Sequence, residues 1–204
     1  MLIVRRTDCV PLPMVVCPVV AVVMLESRVA SCVHCVENVA WQAPSNENVN
    51  GGKDQFYTKL NETLLNISTT REIILWGDFN GHTGKKVNNQ VVEPYGETRI
   101  KDTGERLIDI CESYNLRIKN GYFKLTMIHK YTWEQHTRNL KSITDYIIVK
   151  QKSKYQIHDV RVQRDINCGS DHYVVRANVY LPIRGRASNK DKNEENYEKF
   201  MYLK

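Results

Sequence analysis

The sequence predicts an α/β fold, with apolar strands buried on both faces, alternating strands with one wet face, and amphipathic helices between them. Three observations carry that expectation. Ile73-Ile74-Leu75-Trp76 is an uninterrupted apolar run ended by Gly77, the pattern of a strand covered on both sides. Tyr146-Ile147-Ile148-Val149 repeats the pattern behind Asp145. Between them Leu107, Ile108, Cys111 and Tyr114 recur at helical spacing. At 204 residues the chain is one domain, or one domain with tails, and can bury a sizeable core.

Residues 1–38 read differently from the rest. Arg5 and Arg6 precede an apolar run from Val10 to Leu25 that is broken by Pro11, Pro13 and Pro18 and followed by small residues near Ser31. That is a signal-peptide outline, too short and proline-broken for a membrane span. The competing and preferred reading is a non-homologous leader. Cys32-Val33-His34-Cys35 has the spacing of half a zinc site, but no second close pair follows. The six cysteines show no disulfide framework, which favours a reducing compartment, nuclear or cytoplasmic.

From Val36 to Trp41 the chain is β-prone, and it ends in Gln42-Ala43-Pro44-Ser45. Phe56, Leu60, Leu64 and Ile67 make the apolar stripe of a helix that leads to the Ile73 strand. Gly81 to Ile100 has no periodicity and reads as a long exposed loop, with Lys85, Lys86 and Arg99 giving it positive charge. Asp102-Thr103-Gly104-Glu105 reads as a capping box opening the second helix. Leu116 and Ile118 alternate with charged residues as a half-exposed strand does, and His158 to Val162 does the same. Val175, Ala177, Val179 and Leu181 share one face of a last strand. The tail from 183 to 204 is mostly charged or polar, the composition of a solvated linker or a loose helix.

Chemistry concentrates at strand ends. Gly77-Asp78-Phe79-Asn80 sends a carboxylate and a carboxamide out together, able to hold a hard cation or orient a water; an Asx-type turn explains the same residues without function. Asp145 heads an apolar run, a costly place for an unpaired carboxylate. Ser170-Asp171-His172 precedes the last strand, and Trp133 follows Tyr131-Thr132 as either a stacking platform or a core residue. The net charge of +6 suits an anionic partner, nucleic acid foremost, and is also ordinary for a soluble domain.

With Gly-Asp-Phe-Asn, an Asp-Tyr strand and a closing Ser-Asp-His in this order, the sequence resembles the endonuclease/exonuclease/phosphatase family over about 39–182. It is most similar there to the endonuclease domains of non-LTR retrotransposons and the craniofacial development protein 2-like group. The resemblance implies a partial layered β-sandwich of DNase I-like type, DNA as partner, magnesium as cofactor and phosphodiester hydrolysis. It implies catalytic roles for Asp78, Asn80, Asp145, Asp171 and His172, with Asp145 orienting His172. It further implies substrate contacts from Gln42, Ser45 and Trp133, and a metal held by Asp78, Asn80 and Asp171. Two departures accompany it. Gln42 stands where the family usually has Tyr, and the family's metal-binding Glu has no recognisable counterpart, residues 1–38 offering only Glu26 and Glu37. The expectation is therefore a nuclease-like fragment lacking the first half of the domain, weak or inactive. The alternatives are a non-catalytic nucleic-acid-binding protein and an inositol or lipid phosphatase of the same superfamily.

Overall fold

The structure, a computed structural model, describes residues 22–23, 36–43, 50–86, 89–166, 169–180 and 198–203. Its strands are β1 (Val22–Val23), β2 (Val36–Gln42), β3 (Glu72–Asp78), β4 (Leu116–Ile118), β5 (Trp133–Gln135), β6 (Leu140–Ser142), β7 (Asp145–Lys150), β8 (Gln156–Gln163), β9 (Val174–Tyr180) and β10 (Glu198–Leu203). Its α-helices are α1 (Asn50–Leu65), α2 (Asp102–Ser113) and the single turn α3 (Met127–Lys130). The strands form two four-stranded sheets, ordered β1-β10-β9-β8 and β2-β3-β7-β4, with β5-β6 as a separate hairpin. Every pairing is antiparallel except β2 with β3.

The two uninterrupted apolar strands are the middle of the second sheet, and alternation divides their side chains between two cores. Ile73 and Leu75 of β3, with Tyr146 and Ile148 of β7, face the helices and pack with Leu60, Leu64, Leu107 and Ile108. Ile74 and Trp76, with Ile147 and Val149, face the other sheet and pack with Val160, Val162, Val175, Ala177 and Val179. Each such fully buried side chain is worth roughly 1.5–3 kcal/mol, which explains why these runs contain no polar interruption. The layers are thus helices, sheet and sheet.

Several expectations shift. The helix α1 starts at Asn50 and runs through Gly51 and Gly52, and Tyr57 joins its buried stripe, donating a hydrogen bond to the Thr103 carbonyl at 2.6 Å. No capping box forms. The helix α2 begins one residue earlier than that motif requires, with Lys101 as its N-cap, and Asp102 pairs instead with Arg106 at 3.2 Å. The loop after Asn80 is packed rather than open: Val91 and Val92 are fully buried, and His82 lies 3.0 Å from Glu97 with both out of solvent. Gly104 shows how close the packing is, since a Cβ there would sit 1.9 Å from the His82 carbonyl oxygen. The tail contains β10, paired along β9; Phe200-Met201-Tyr202-Leu203 is β-prone, and the β9 edge offers it backbone partners. Leu181, Ser45 and the Cys32–Cys35 segment lie outside the described residues. Among the described residues no helix is long and apolar enough to cross a membrane.

Candidate active site

The site stands where the apolar runs end. In the β3–β7 ladder Asp78 is directly opposite Asp145. Both follow the alternation that sends Trp76 and Ile147 toward the β8–β9 sheet, so the two carboxylates sit at the rim of the inter-sheet core. The segment entering the other sheet supplies His172, two residues before β9. Its Nδ1 lies 3.0 Å from Asp145 Oδ2, and its Nε2 lies 3.9 Å from Asp78 Oδ2.

Local structure fixes each group. Gly77 has φ of 150°, which favours glycine, and lets β3 turn at its last residue. Asp78 Oδ1 accepts the Asn80 backbone N–H at 2.9 Å, an Asx turn that holds Asn80 at a left-handed φ of 46°. Asn80 then donates its amide to the Ala43 carbonyl at 2.6 Å, tying the exit of β2 to the end of β3. Thr132 Oγ1 accepts the backbone N–H groups of Thr144 and Asp145 at 3.0 and 3.2 Å, and the Thr144 hydroxyl lies 3.2 Å from Asp145 Oδ2. The buried Asn120 imitates a strand: its amide donates to the Asp145 carbonyl and its oxygen accepts from Ile147 N–H, both at 2.9 Å.

The His172 segment is clamped by β5. Thr132 O accepts Tyr173 N–H at 2.7 Å and Asp171 O accepts Glu134 N–H at 3.0 Å, bracketing a bridge between Trp133 and His172. The Trp133 indole donates to Asp171 Oδ2 at 2.7 Å. Glu134, buried, gathers Lys141 at 2.7 Å with Arg164 and the Tyr173 hydroxyl at 3.0 Å each. Lys141 first, then Arg164, hold its carboxyl down at about 2.

The electrostatics follow from the crowding. Burial, then the charge of Asp145, push the Asp78 carboxyl up to about 6, against the Asn80 N–H and the His172 charge. For His172, burial is the largest single influence and pulls its pKa down. The hydrogen bond and charge of Asp145, with Asp78 and Asp171, outweigh that pull and raise it to about 9. At neutral pH the rim therefore holds an imidazolium against two carboxylates.

Asp78, Asp145 and His172 are brought together; among the described residues they each offer a ligand atom within 4.8 Å of the others. Asn80 and Asp171 are at the same rim with their side chains engaged elsewhere, by Ala43 and Trp133 respectively. The geometry brings Asp145 beside Asp78, a carboxylate outside the expected metal set of Asp78, Asn80 and Asp171. The donor chemistry suits a hard divalent cation in charge, since two facing carboxylates offer anionic oxygens, but two carboxylates are few for six-fold oxygen coordination. Gln42 ends β2 beside Asp78 in the backbone register. Trp133 is half-buried and serves as the Asp171 partner rather than as core. Thr132, Asn120, Glu134 and Tyr173 escaped sequence reading; only Thr132, inside the Tyr-Thr-Trp segment, carried a signal.

Comparison with known proteins adds relatives. No family model matches the chain. Over 152 residues it is 28% identical to craniofacial development protein 2 of Tragulus javanicus, covering 69% of this chain and 26% of that protein. The Bos taurus protein of the same name is 27% identical over 131 residues, 64% of this chain and 22% of its own length. This chain therefore spans about a quarter of those relatives. In three dimensions it is similar to the 3'-5' exonuclease NExo of Neisseria meningitidis, with a TM-score of 0.50 and 20% identity over 69% of this chain and 59% of that one. A structure of the Neisseria 3' phosphatase NExo bound to a product DNA hairpin gives 0.49 and 18%, over 68% and 58%. The fold is DNase I-like, with mixed helices and largely antiparallel sheets.

Proposed function

We propose that this chain, which belongs over part of its length with the endonuclease/exonuclease/phosphatase proteins, is a retrotransposon-derived, endonuclease-like domain that binds DNA and hydrolyses its phosphodiester bonds weakly. The observation that carries this reading is the convergence of Asp78, Asp145 and His172 from three distant segments on one rim. Unrelated turn residues have no reason to meet there.

Asp145 holds the His172 Nδ1–H, so the imidazole presents Nε2 outward, fixed in direction. With its pKa raised to about 9, the ring enters as imidazolium. It contacts a phosphate oxygen as a fixed cation and can pass its proton to the departing oxygen. Asp78, with Oδ1 occupied by Asn80 N–H, turns Oδ2 toward His172 and orients the attacking water. Positioning and charge stabilisation of this kind do most of the work in phosphoryl transfer. A divalent cation, magnesium by the resemblance, would be held by Asp78 and Asp145 and would neutralise charge on the non-bridging oxygens. Weakness follows from the donor count and from Gln42, which can donate a hydrogen bond but has no phenolic proton.

The test is plasmid nicking by the full chain with magnesium and with chelator, beside His172→Ala. Slow nicking that needs magnesium and disappears in His172→Ala is the expected result. Nicking unchanged in His172→Ala refutes the site. Salt-sensitive DNA binding with no nicking at all favours the second reading, a binding protein without chemistry, which the chain's net charge of +6 supports. Faster turnover of inositol phosphates than of DNA would move the chain to the phosphatases.

A further inference from the structure

At the end of the sandwich opposite the Asp78–Asp145 rim, a cavity of about 270 Å³ opens between β4 and β7 of one sheet and β8 of the other. β7 starts at Asp145 and ends at Lys150 in this wall, which separates the cavity from the rim by roughly 17 Å at about 3.3 Å per residue. The lining includes Arg117, Lys119, Lys150 and His158 and no carboxylate. Some of its polar groups are committed. Lys150 donates to the carbonyls of Thr69 and Arg71, Gln151 donates to Leu116 O at 3.3 Å, and Ser153 donates to Glu72 at 2.7 Å.

Arg117 and Lys119 are different. Neither has a carboxylate partner within ion-pair distance among the described residues; both lie over the Tyr122 ring, at 5.6 and 4.0 Å from its centroid. The Arg117 Nε–H is buried and meets no acceptor. Burial, then the charge of Arg117, push the Lys119 ammonium down to about 8, with Glu93 opposing from a distance. Two adjacent, partly desolvated cations with an orphaned donor are an unfavourable arrangement unless an anion joins them.

We propose that this cavity is a phosphate-binding site, distinct from the His172 rim, in which Arg117 and Lys119 receive the anion. A guanidinium fork matches phosphate oxygens, and the ammonium supplies a second charge. The volume is below the roughly 300 Å³ at which pockets for drug-sized molecules begin, so the ligand is one phosphate with a small substituent, or one phosphate of a nucleic-acid backbone.

The experiment titrates the full chain with inorganic phosphate at constant ionic strength and follows backbone amides by NMR, with chloride as control. Saturable shifts at Lys119, Lys150 and Gln151 are expected. Arg117→Gln, which keeps a polar side chain but loses the charge and the guanidinium fork, weakens binding by about tenfold or more, as loss of a charge-assisted hydrogen bond should. Lys119→Gln is the second variant and weakens it likewise, and His172→Ala leaves it unchanged. Shifts confined to the neighbourhood of His172, or a folded Arg117→Gln protein that binds as the parent does, overturn the proposal. Two further arms separate the sources. If a single-stranded oligodeoxynucleotide moves these amides and Arg117→Gln abolishes the effect, the ligand is a backbone phosphate; if only glycerol phosphate does so, it is a phosphomonoester. This proposal does not depend on catalysis at the rim, so a negative nicking assay leaves it standing and a negative titration leaves the rim untouched.

Discussion

Replacing Asp145 by Asn should reverse the sign of its own stability effect between acid and alkaline pH. In the metal-free protein His172 has its pKa raised from the ordinary 6.5 to about 9, and the ring is 26% exposed. That gap corresponds to roughly 3 kcal/mol favouring the folded state while the ring is protonated. Because the folded value lies above the unfolded one, the contribution is complete below pH 6.5 and disappears as pH rises through about 9. Asp78 shifts stability in the same direction at lower pH, although here it is the neutral form that the fold favours. Its carboxyl is raised from 3.8 to about 6, by burial first and Asp145 next, so its ionisation costs stability as pH rises through the interval between those values.

Asp145→Asn removes the main group raising His172 and the one charge that, after burial, raises Asp78. At pH 5 to 6 the loss of the imidazolium partner dominates, and the variant should be less stable by about 2 kcal/mol. Near pH 10 the parent holds two facing carboxylates beside a neutral ring, and the variant should equal or exceed it. Urea unfolding at the two pH values, with chelator present, measures the difference. An NMR titration of the His172 ring should show its midpoint falling from about 9 to below 7, since burial, the largest influence on this ring, then meets only Asp78 and Asp171. A midpoint that stays near 9, or a destabilisation of equal size at both pH values, would falsify the pairing.

Other perturbations separate the parts of the site. Added magnesium should lower the His172 midpoint in the parent, by drawing on Asp78 and Asp145, and leave it unmoved in an Asp78→Asn, Asp145→Asn double variant, as the same titration shows. Asn120→Ala strands the Asp145 carbonyl and the Ile147 N–H in the interior and should cost roughly 2–4 kcal/mol in urea unfolding. Gly104→Ala drives a Cβ into the His82 carbonyl and should abolish cooperative folding by circular dichroism; a stable variant would show the 81–100 segment to be loosely held. Gln42→Tyr alone should leave plasmid nicking near the slow rate of the parent, because it returns a positioning group and adds no metal ligand.

Much of the scaffold was legible because it depends on period. Ile73 to Trp76 and Tyr146 to Val149 read as strands covered on both faces, and they divide their side chains between two cores as that pattern requires. What escaped reading depends on contacts between distant segments. The run from Gly81 to Ile100 shows no period and still buries Val91 and Val92, because α2 and the Lys119–Tyr122 turn close over it. Asp102 looked like a cap but is one residue inside its helix, a shift that only the Lys101 dihedral reveals. Glu134 is an unremarkable acid in the sequence, yet it collects Lys141, Arg164 and Tyr173 from three separate segments.

The candidate site is legible to the same degree and for the same reason. Gly-Asp-Phe-Asn and Asp-Tyr each announce a strand end, but nothing in either says that Asp78 and Asp145 face one another across an antiparallel register. Two carboxylates directly opposite are repulsive, and burial at a sheet rim aggravates the repulsion. Such a pair persists when something cationic sits between them. His172 is the cation the chain itself supplies, from the other sheet, and the β5 clamp on Asp171 and Tyr173 keeps it there. Asp171 is one residue away in sequence but faces the Trp133 indole, adding its charge to the field on the ring without joining the pair. The rim is consequently an anion-receptive imidazolium backed by two acids, and those acids become available to an external cation only to the extent that His172 gives up its hold on Asp145.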